Sequence, residues 1–133
     1  MLQRSNHMKK KSFWMFAVSA LLLTQMNLTW AQDQAEGKKL YLTYCSSCHG
    51  DDGKGDGPAA RSLPVKPANH TDGTVMNKFS DKFLLEIIAK GGGAVGKSAM
   101  MPGWGGQLKA NQLRDIVAYV RSIADPPYKG SGK

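Results

Sequence analysis

Cys45, Cys48 and His49 are the residues of this chain with the clearest chemical use. Two cysteines separated by two residues and followed at once by a histidine form the attachment signature of c-type haem. Each thiol can add to one vinyl group of the porphyrin, and the imidazole can then bind the iron as its proximal ligand. The chain has two cysteines in all. The sequence therefore predicts one haem c, bound covalently through Cys45 and Cys48.

Three other uses of the cysteine pair explain less of the sequence. A dithiol redox motif belongs in a βαβ context, and no such pattern is visible here. A structural zinc site needs four ligands. Cys45, Cys48, His49 and the distant His70 could supply them, but at an unusual spacing. A simple disulfide would leave His49 without a role. Haem attachment uses all three residues at their observed spacing and needs no distant ligand.

The N-terminus has the features of a secretory signal. Arg4 and Lys9–Lys11 supply a positive start, an apolar run follows over Phe13–Leu23, and we expect cleavage after the small residue Ala31. Met8, directly before the lysines, is an alternative start that would keep this signal. The competing interpretation is an uncleaved membrane anchor. A spanning helix needs about 20 mostly apolar residues, and polar residues interrupt this run too soon, which favours cleavage.

Cleavage would divide the chain into a signal peptide at residues 1–31 and one domain at residues 32–133. The whole chain has a formal net charge of +8, but residues 1–31 carry four of its basic residues and none of its acidic ones, so the domain would carry +4. Its lysines are scattered among acids and lack the basic run interleaved with aromatics that is typical of nucleic-acid binding. We therefore expect no nucleic-acid partner, and at most a preference for an acidic redox partner. Cleavage of the signal would leave no membrane span in the mature chain.

Three helices joined by long glycine-rich loops are predicted for the domain. The first covers Gln34 to about Tyr44, the second follows an N-cap at Ser80 and ends at Lys90, and the last covers about Lys109 to Ala124. Asn111 could cap the last helix slightly later. No strand pattern is present, so the fold class is all-α. Such long loops are unusual in a small domain, but they make sense if they wrap a flat cofactor.

A second axial ligand would decide what the iron can do. Met101 is the preferred candidate, ahead of Met100, because it stands directly before Pro102, which restricts the preceding backbone to an extended conformation. Met76 is a weaker alternative. A thioether ligand favours Fe(II) and raises the reduction potential. His70 could instead ligate the iron or bind a haem propionate, but a lone histidine in a polar stretch is expected to be solvent-exposed.

At this point the chain resembles the class I cytochrome c family, particularly its small periplasmic monohaem members, over about residues 34–124. The resemblance implies a cytochrome c-like fold, with three main helices and long loops wrapped around one covalently bound haem. Gly37 and Tyr41 match the glycine–aromatic pair of the family's first helix, and Ile116 and Tyr119 match the last-helix positions that pack across it. A glycine lets the partner helix approach its backbone closely.

The resemblance also assigns the ligands and their supports. Met101 matches the distal-ligand position, which with His49 would give His/Met axial ligation of the iron. Gly57 and Pro58 match a loop whose proline carbonyl accepts a hydrogen bond from the proximal histidine. Such a bond would fix the orientation of the His49 ring and raise its donor strength.

The function implied is one-electron transfer by a carrier that is not itself an enzyme. Its partners would be redox proteins: an oxidase, a reductase or a dehydrogenase. The carrier itself would be a monomer or would form transient complexes. One alternative is a haem-bearing subunit of an oxidase or dehydrogenase complex. A different class of function, gas binding or sensing, would require an open distal site. The expected location is the periplasm, or a membrane-tethered position if the N-terminal segment is retained.

Overall fold

The computed structural model describes residues 32–130, and the predicted signal peptide lies outside the described residues. Within residues 32–130 the structure is helical and has no strand; Asp72 and Asp125 form an isolated parallel bridge. The all-α prediction is confirmed. Five α-helices and two 3-10 segments follow in chain order within this range: α1 Gln34–Tyr44, α2 Ser46–His49, 3-10 Pro58–Ser62, α3 Gly73–Met76, α4 Asp81–Lys90, 3-10 Gly92–Val95 and α5 Ala110–Ser122.

Helices α1 and α5 cross at Gly37, as the resemblance implies. A Cβ atom built on Gly37 would lie 1.9 Å from the Asp115 carbonyl oxygen and 3.1 Å from Tyr119 Cβ. The Tyr41 ring, one turn further along α1, packs edge-on against Tyr119 with the ring centroids 5.1 Å apart. Tyr41 and Ile116 are fully buried. The crossing is therefore tight enough that only glycine fits at position 37.

The helix ends follow ordinary capping chemistry. The Ser80 side chain accepts a hydrogen bond from the Phe83 N–H, so α4 begins where it was predicted. Helix α5 begins at Ala110, and the Gln112 side chain accepts a hydrogen bond from the Lys109 N–H at 3.0 Å. Asn111 lies inside the helix, so the suggested later cap is wrong. Helix α5 also ends at Ser122, two residues before the predicted end.

Arg121, near the end of α5, ties that helix to the segment between α3 and α4. Its guanidinium donates to the Met76 carbonyl at 2.9 Å, to the Phe79 carbonyl at 2.5 Å and to the Asp81 carboxylate at 2.8 Å. The Tyr128 ring covers the guanidinium at 3.6 Å. Charge-assisted bonds of this kind are stronger than neutral ones. They fix α4 relative to the α1–α5 pair.

The apolar core lies among α1, α4 and α5. It consists of the following buried residues: Leu40, Tyr41, Met76, Leu84, Ile88, Leu108, Leu113, Ile116, Val117, Tyr119 and Val120. Half-buried residues of the cysteine motif and of the loop before α5 pack against it, among them Cys45, Met101 and Trp104. In the part of the chain that the structure describes, no helix is long and apolar enough to cross a membrane.

Candidate functional site

The cysteine motif occupies the junction between α1 and α2. Cys45 separates the two helices, and its carbonyl accepts hydrogen bonds from the N–H groups of Cys48 and His49. This one helical turn brings both thiols and the imidazole to one end of α1. The two cysteines are half-buried and form no disulfide. Burial raises the pKa of Cys45 to about 12, and the nearby Cys48 adds to that rise.

The His49 ring is held with one nitrogen free for a metal. His49 is 8% exposed, and its Nδ1 lies 3.0 Å from the Ala68 carbonyl oxygen. A carbonyl can only accept, so Nδ1 must carry the hydrogen and Nε2 must carry the lone pair. Burial lowers the pKa of His49, although the bond to Ala68 opposes this. A neutral imidazole with a free Nε2 is the form that binds iron.

The predicted partner of His49 was wrong by ten residues. The Pro58 carbonyl was expected to accept this bond, but the Ala68 carbonyl does. Gly57 instead packs on the backbone of α2: a Cβ there would lie 2.5 Å from the carbonyl oxygens of Ser46 and Ser47. Pro58 then begins a 3-10 segment. The carbonyl that reaches His49 Nδ1 comes ten residues after Pro58, from Ala68.

His70 was expected to be exposed, and this is also wrong. Its ring stacks face to face on His49, with centroids 4.2 Å apart and planes 19° apart. Its Nδ1 lies 3.0 Å from the Tyr41 hydroxyl. Burial, followed by the neighbouring His49, lowers the pKa of His70 to about 3. Two axial imidazoles would lie end to end across an iron atom, whereas these rings lie face to face. The arrangement disfavours His70 as the opposite ligand.

The two methionines of the predicted distal loop differ in burial. Met101 is half-buried and packs against the core cluster, as Cys45 also does. Met100 is 56% exposed. The Met101 carbonyl accepts a hydrogen bond from the Gly92 N–H at 3.0 Å, and the Met101 N–H donates to the Ser98 carbonyl. The structure thus separates the two candidates by environment, while ligation by Met101 stays a prediction. Met76 is buried within the core.

Backbone contacts hold this loop against the end of α4. The N–H groups of Trp104 and Gly105 donate to the carbonyls of Ile88 and Ala89 at 2.8 and 2.9 Å. The approach at Gly103 is so close that a Cβ there would lie 2.6 Å from the Lys90 carbonyl carbon. The Trp104 ring lies 5.1 Å from the Tyr44 ring, which joins the loop to the end of α1.

The donor set fits a haem and does not fit a zinc ion. Among residues 32–130, no group of three or more histidine, cysteine, aspartate or glutamate side chains is arranged to hold a metal ion. The zinc alternative needs such a group. Two free thiols beside one neutral imidazole, with Cys45 packed against the apolar core, are what a covalently attached porphyrin requires.

Two supports of the site could not be found from residue types. The Ala68 carbonyl is a backbone group, and any residue could supply it. The contact of His70 with Tyr41 joins residues 29 positions apart. For the His70 contact, the sequence offered only a histidine after a proline-rich stretch, and the polar neighbours of His70 indicated that it was exposed.

Comparisons with known proteins agree with this geometry. The sequence profile of the cytochrome c family, described as "Cytochrome c", matches residues 34–124. Cytochrome c6 of Nostoc sp. (strain PCC 7120) is 29% identical over 99 residues, which cover 74% of this chain and 78% of that protein. The cbb3-type cytochrome c oxidase subunit FixP of Bradyrhizobium diazoefficiens is 30% identical over 91 residues, or 68% of this chain. The match spans only 28% of the FixP subunit.

Two solved structures are also similar to this chain. A c-type cytochrome, KustC0563, is 28% identical with a TM-score of 0.55, over 67% of this chain and 98% of that one. A chain of the Kuenenia stuttgartiensis reducing HAO-like protein complex Kustc0457/Kustc0458 has the same identity and TM-score, over 68% of this chain and 42% of that one.

Proposed function

This chain belongs to the cytochrome c family and carries one haem c on Cys45 and Cys48, and we propose that it is a one-electron carrier with His49 and Met101 as axial ligands. The proposal rests on the position of the His49 ring. His49 follows both thiols directly, and the Ala68 carbonyl fixes its tautomer so that the Nε2 lone pair is free to bind iron. That is the arrangement of a permanent iron ligand.

Met101 is proposed as the distal ligand because of where its loop is held. The loop is hydrogen-bonded to the end of α4, and Met101 packs on the same core cluster as Cys45. The Met101 thioether, if bound to the iron, would leave no open site for oxygen or another small ligand. It would also stabilise Fe(II) relative to Fe(III), which raises the reduction potential.

The bound haem supplies a metal that gains or loses one electron. The chain supplies a low-dielectric surrounding, because the core cluster and the half-buried ring of Trp104 keep apolar surface next to the cysteine motif. His49 needs no change of protonation during the reaction, because its Nδ1 hydrogen is already bonded to Ala68. The proposal thus requires ligands that stay in place, and no proton donor or nucleophile.

We further propose that the carrier works in the periplasm after export and meets its redox partner there transiently. The basic and apolar N-terminal segment supports export. Retention of that segment as a membrane tether is the alternative. A second candidate function is a haem-bearing subunit of an oxidase, which the similarity to FixP favours. Copurification of the native chain with a larger complex would support the subunit over the free carrier.

A redox titration of the visible spectrum, together with carbon monoxide, tests the ligation. The oxidised mature protein should show the weak far-red band characteristic of a bond between Fe(III) and a thioether. The titration should follow a single one-electron step. The reduced protein should not bind carbon monoxide at neutral pH. Carbon monoxide binding by the native protein, with no far-red band, would indicate an open distal site and a gas-binding function instead.

A further inference from the structure

We propose that Tyr41 and His70 act as positioning residues that set the rotation of the His49 imidazole plane about its bond to the haem iron. This inference rests on the proposed function, since it requires His49 to ligate a haem. The three side chains form one series: the Tyr41 hydroxyl contacts the His70 ring, which stacks on the His49 ring.

Contacts from two directions restrain the His49 ring. The Ala68 carbonyl holds its Nδ1 edge at 3.0 Å. His70 covers one face, with the ring centroids 4.2 Å apart and the planes nearly parallel. An edge contact alone permits rocking of the plane, and the stacked ring opposes that motion. Together the two contacts leave the imidazole plane little freedom.

His70 can act in this way because it is itself held. Its backbone N–H donates to the Gly53 carbonyl at 2.7 Å, and its Nδ1 lies 3.0 Å from the Tyr41 hydroxyl. Tyr41 is 0% exposed, and burial raises its pKa, so the phenol keeps its proton and can donate to Nδ1. Tyr41 is fixed in turn by the Tyr119 ring. Side-chain contacts through Tyr41 and His70 therefore connect the α1–α5 crossing to the proximal ligand His49.

Gly53 makes room for this contact. It has a positive φ of 81°, and a Cβ there would lie 2.6 Å from Ile123 Cδ1 and 3.4 Å from both His70 Cβ and the Tyr41 hydroxyl oxygen. After His70 the chain is tied down again, because the Asp125 N–H donates to the Thr71 carbonyl at 2.9 Å. The backbone that carries His70 is thus anchored on both sides of the residue.

The orientation of an axial imidazole has a spectroscopic signature. In low-spin Fe(III) haem, the orientations of the axial ligands, including the plane of an imidazole ring, determine how the unpaired electron is shared between two iron d orbitals. That distribution sets the g-values in electron paramagnetic resonance and the pattern of haem-methyl shifts in proton NMR. A group that fixes the ring, beyond the atoms bonded to the metal, is expected to control these quantities.

Tyr41→Phe in the oxidised holoprotein is the decisive variant, with Tyr119→Phe as its matched control. Both substitutions remove one phenolic hydroxyl from the same aromatic cluster, but the Tyr41 hydroxyl is the one bonded to His70. We expect Tyr41→Phe to shift the g-values and the haem-methyl pattern, and Tyr119→Phe to leave both as in the wild type. Equal spectra for Tyr41→Phe and wild type, or an equal change in both variants, would overturn the proposal.

Two variants of His70 separate positioning from space filling. His70→Phe keeps a flat ring against His49, so its spectra should lie nearer those of the wild type than those of His70→Leu do. If His70→Leu and His70→Phe change the unfolding midpoint alone and leave the g-values unchanged, His70 is a packing residue and the proposal fails. Should His70→Leu not fold, Tyr41→Phe still decides.

The experiment distinguishes this proposal from the one on which it rests. Absence of covalent haem or of a low-spin iron in the wild-type protein would refute the electron-carrier proposal. A wild-type protein with haem and low-spin iron, but with no response to Tyr41→Phe, would refute the positioning role alone.

Discussion

The two sides of the proposed haem site are built in different ways. On the proximal side, the half-buried His70 ring stacks on one face of His49, and the Ala68 backbone carbonyl holds its Nδ1. On the distal side, Met101 belongs to a loop that backbone hydrogen bonds hold against α4. Proximal geometry therefore depends on one backbone carbonyl and on the particular side chains of His70 and Tyr41, whereas distal geometry depends on glycines and on the position of a helix end.

The comparison indicates where each side tolerates change. Side-chain substitutions should affect the proximal side through the helix crossing and the rings that pack there. The distal side should tolerate most side-chain changes in its loop, except at the iron ligand itself.

Met101→Ala should alter the iron chemistry outright, whereas Met100→Ala should leave it nearly unchanged. Loss of the thioether should lower the reduction potential by a sizeable part of the roughly 0.8 V range that axial ligands span, and should open the iron to carbon monoxide. Met100 is 56% exposed, which makes it the matched control. A redox titration with carbon monoxide addition measures both effects. If both variants had the same reduction potential and the same carbon monoxide binding, the assignment of Met101 as ligand and of Met100 as non-ligand would be contradicted.

Gly37→Ala should destabilise the protein, whereas Gly106→Ala should not. A Cβ at Gly37 would lie 1.9 Å from the Asp115 oxygen, and overpacking of that kind costs about 3 kcal/mol. Alanine regains about 1 kcal/mol of helix propensity, so the clash prevails by about 2 kcal/mol. Gly106 has nothing within 4 Å. Denaturant unfolding of the holoprotein checks the pair, and similar midpoints would argue against the tight crossing.

Arg121→Gln should cost about 1.5 kcal/mol, because hydrogen bonds to a charged donor are lost. The variant removes the bonds to the Met76 and Phe79 carbonyls and to Asp81. Since Arg121 fixes α4, which in turn holds the distal loop, the far-red absorption band should also disappear at lower denaturant concentration than in the wild type. Arg61→Gln, at an exposed arginine, is the control. An unchanged midpoint in Arg121→Gln would contradict this role.

Ser80→Ala should have the smallest effect, about 1 kcal/mol, because it removes one N-cap from α4. The far end of α4 supplies the carbonyls that hold Trp104 and Gly105. Loss of the Ser80 cap should lower the denaturant midpoint of unfolding. At low denaturant, where the protein stays folded, the reduction potential should not change. Ser62→Ala, at an exposed serine, serves as the comparison. A changed potential in Ser80→Ala would mean that α4 and the distal ligand are more closely coupled than we infer.

The sequence predicted the parts of the site that depend on local pattern. The cysteine motif, the helix Gln34–Tyr44 and the start of α4 at its Ser80 cap follow from spacing and capping. Each of these signals lies within a few residues of the feature that it predicts. The crossing at Gly37 was implied by the resemblance of Gly37 and Tyr41 to the family's glycine–aromatic pair.

The sequence could not predict contacts between distant loops. The acceptor for His49 is a backbone carbonyl, so it depends on the path of the chain and not on a residue type. The resemblance implied the Pro58 carbonyl, yet Pro58 begins a 3-10 segment and the Ala68 carbonyl, ten residues later, lies at His49 Nδ1. His70 was misjudged because its polar neighbours indicate solvent, while its own ring faces His49.

Mass spectrometry under denaturing conditions tests the central claim most directly. The mature protein should be made in a host with working haem-maturation machinery and then unfolded, so that any haem held without covalent bonds is lost. The measured mass should be that of the polypeptide plus one haem, with the added mass located on the peptide that contains Cys45 and Cys48. A bare polypeptide mass from such a preparation would contradict the account.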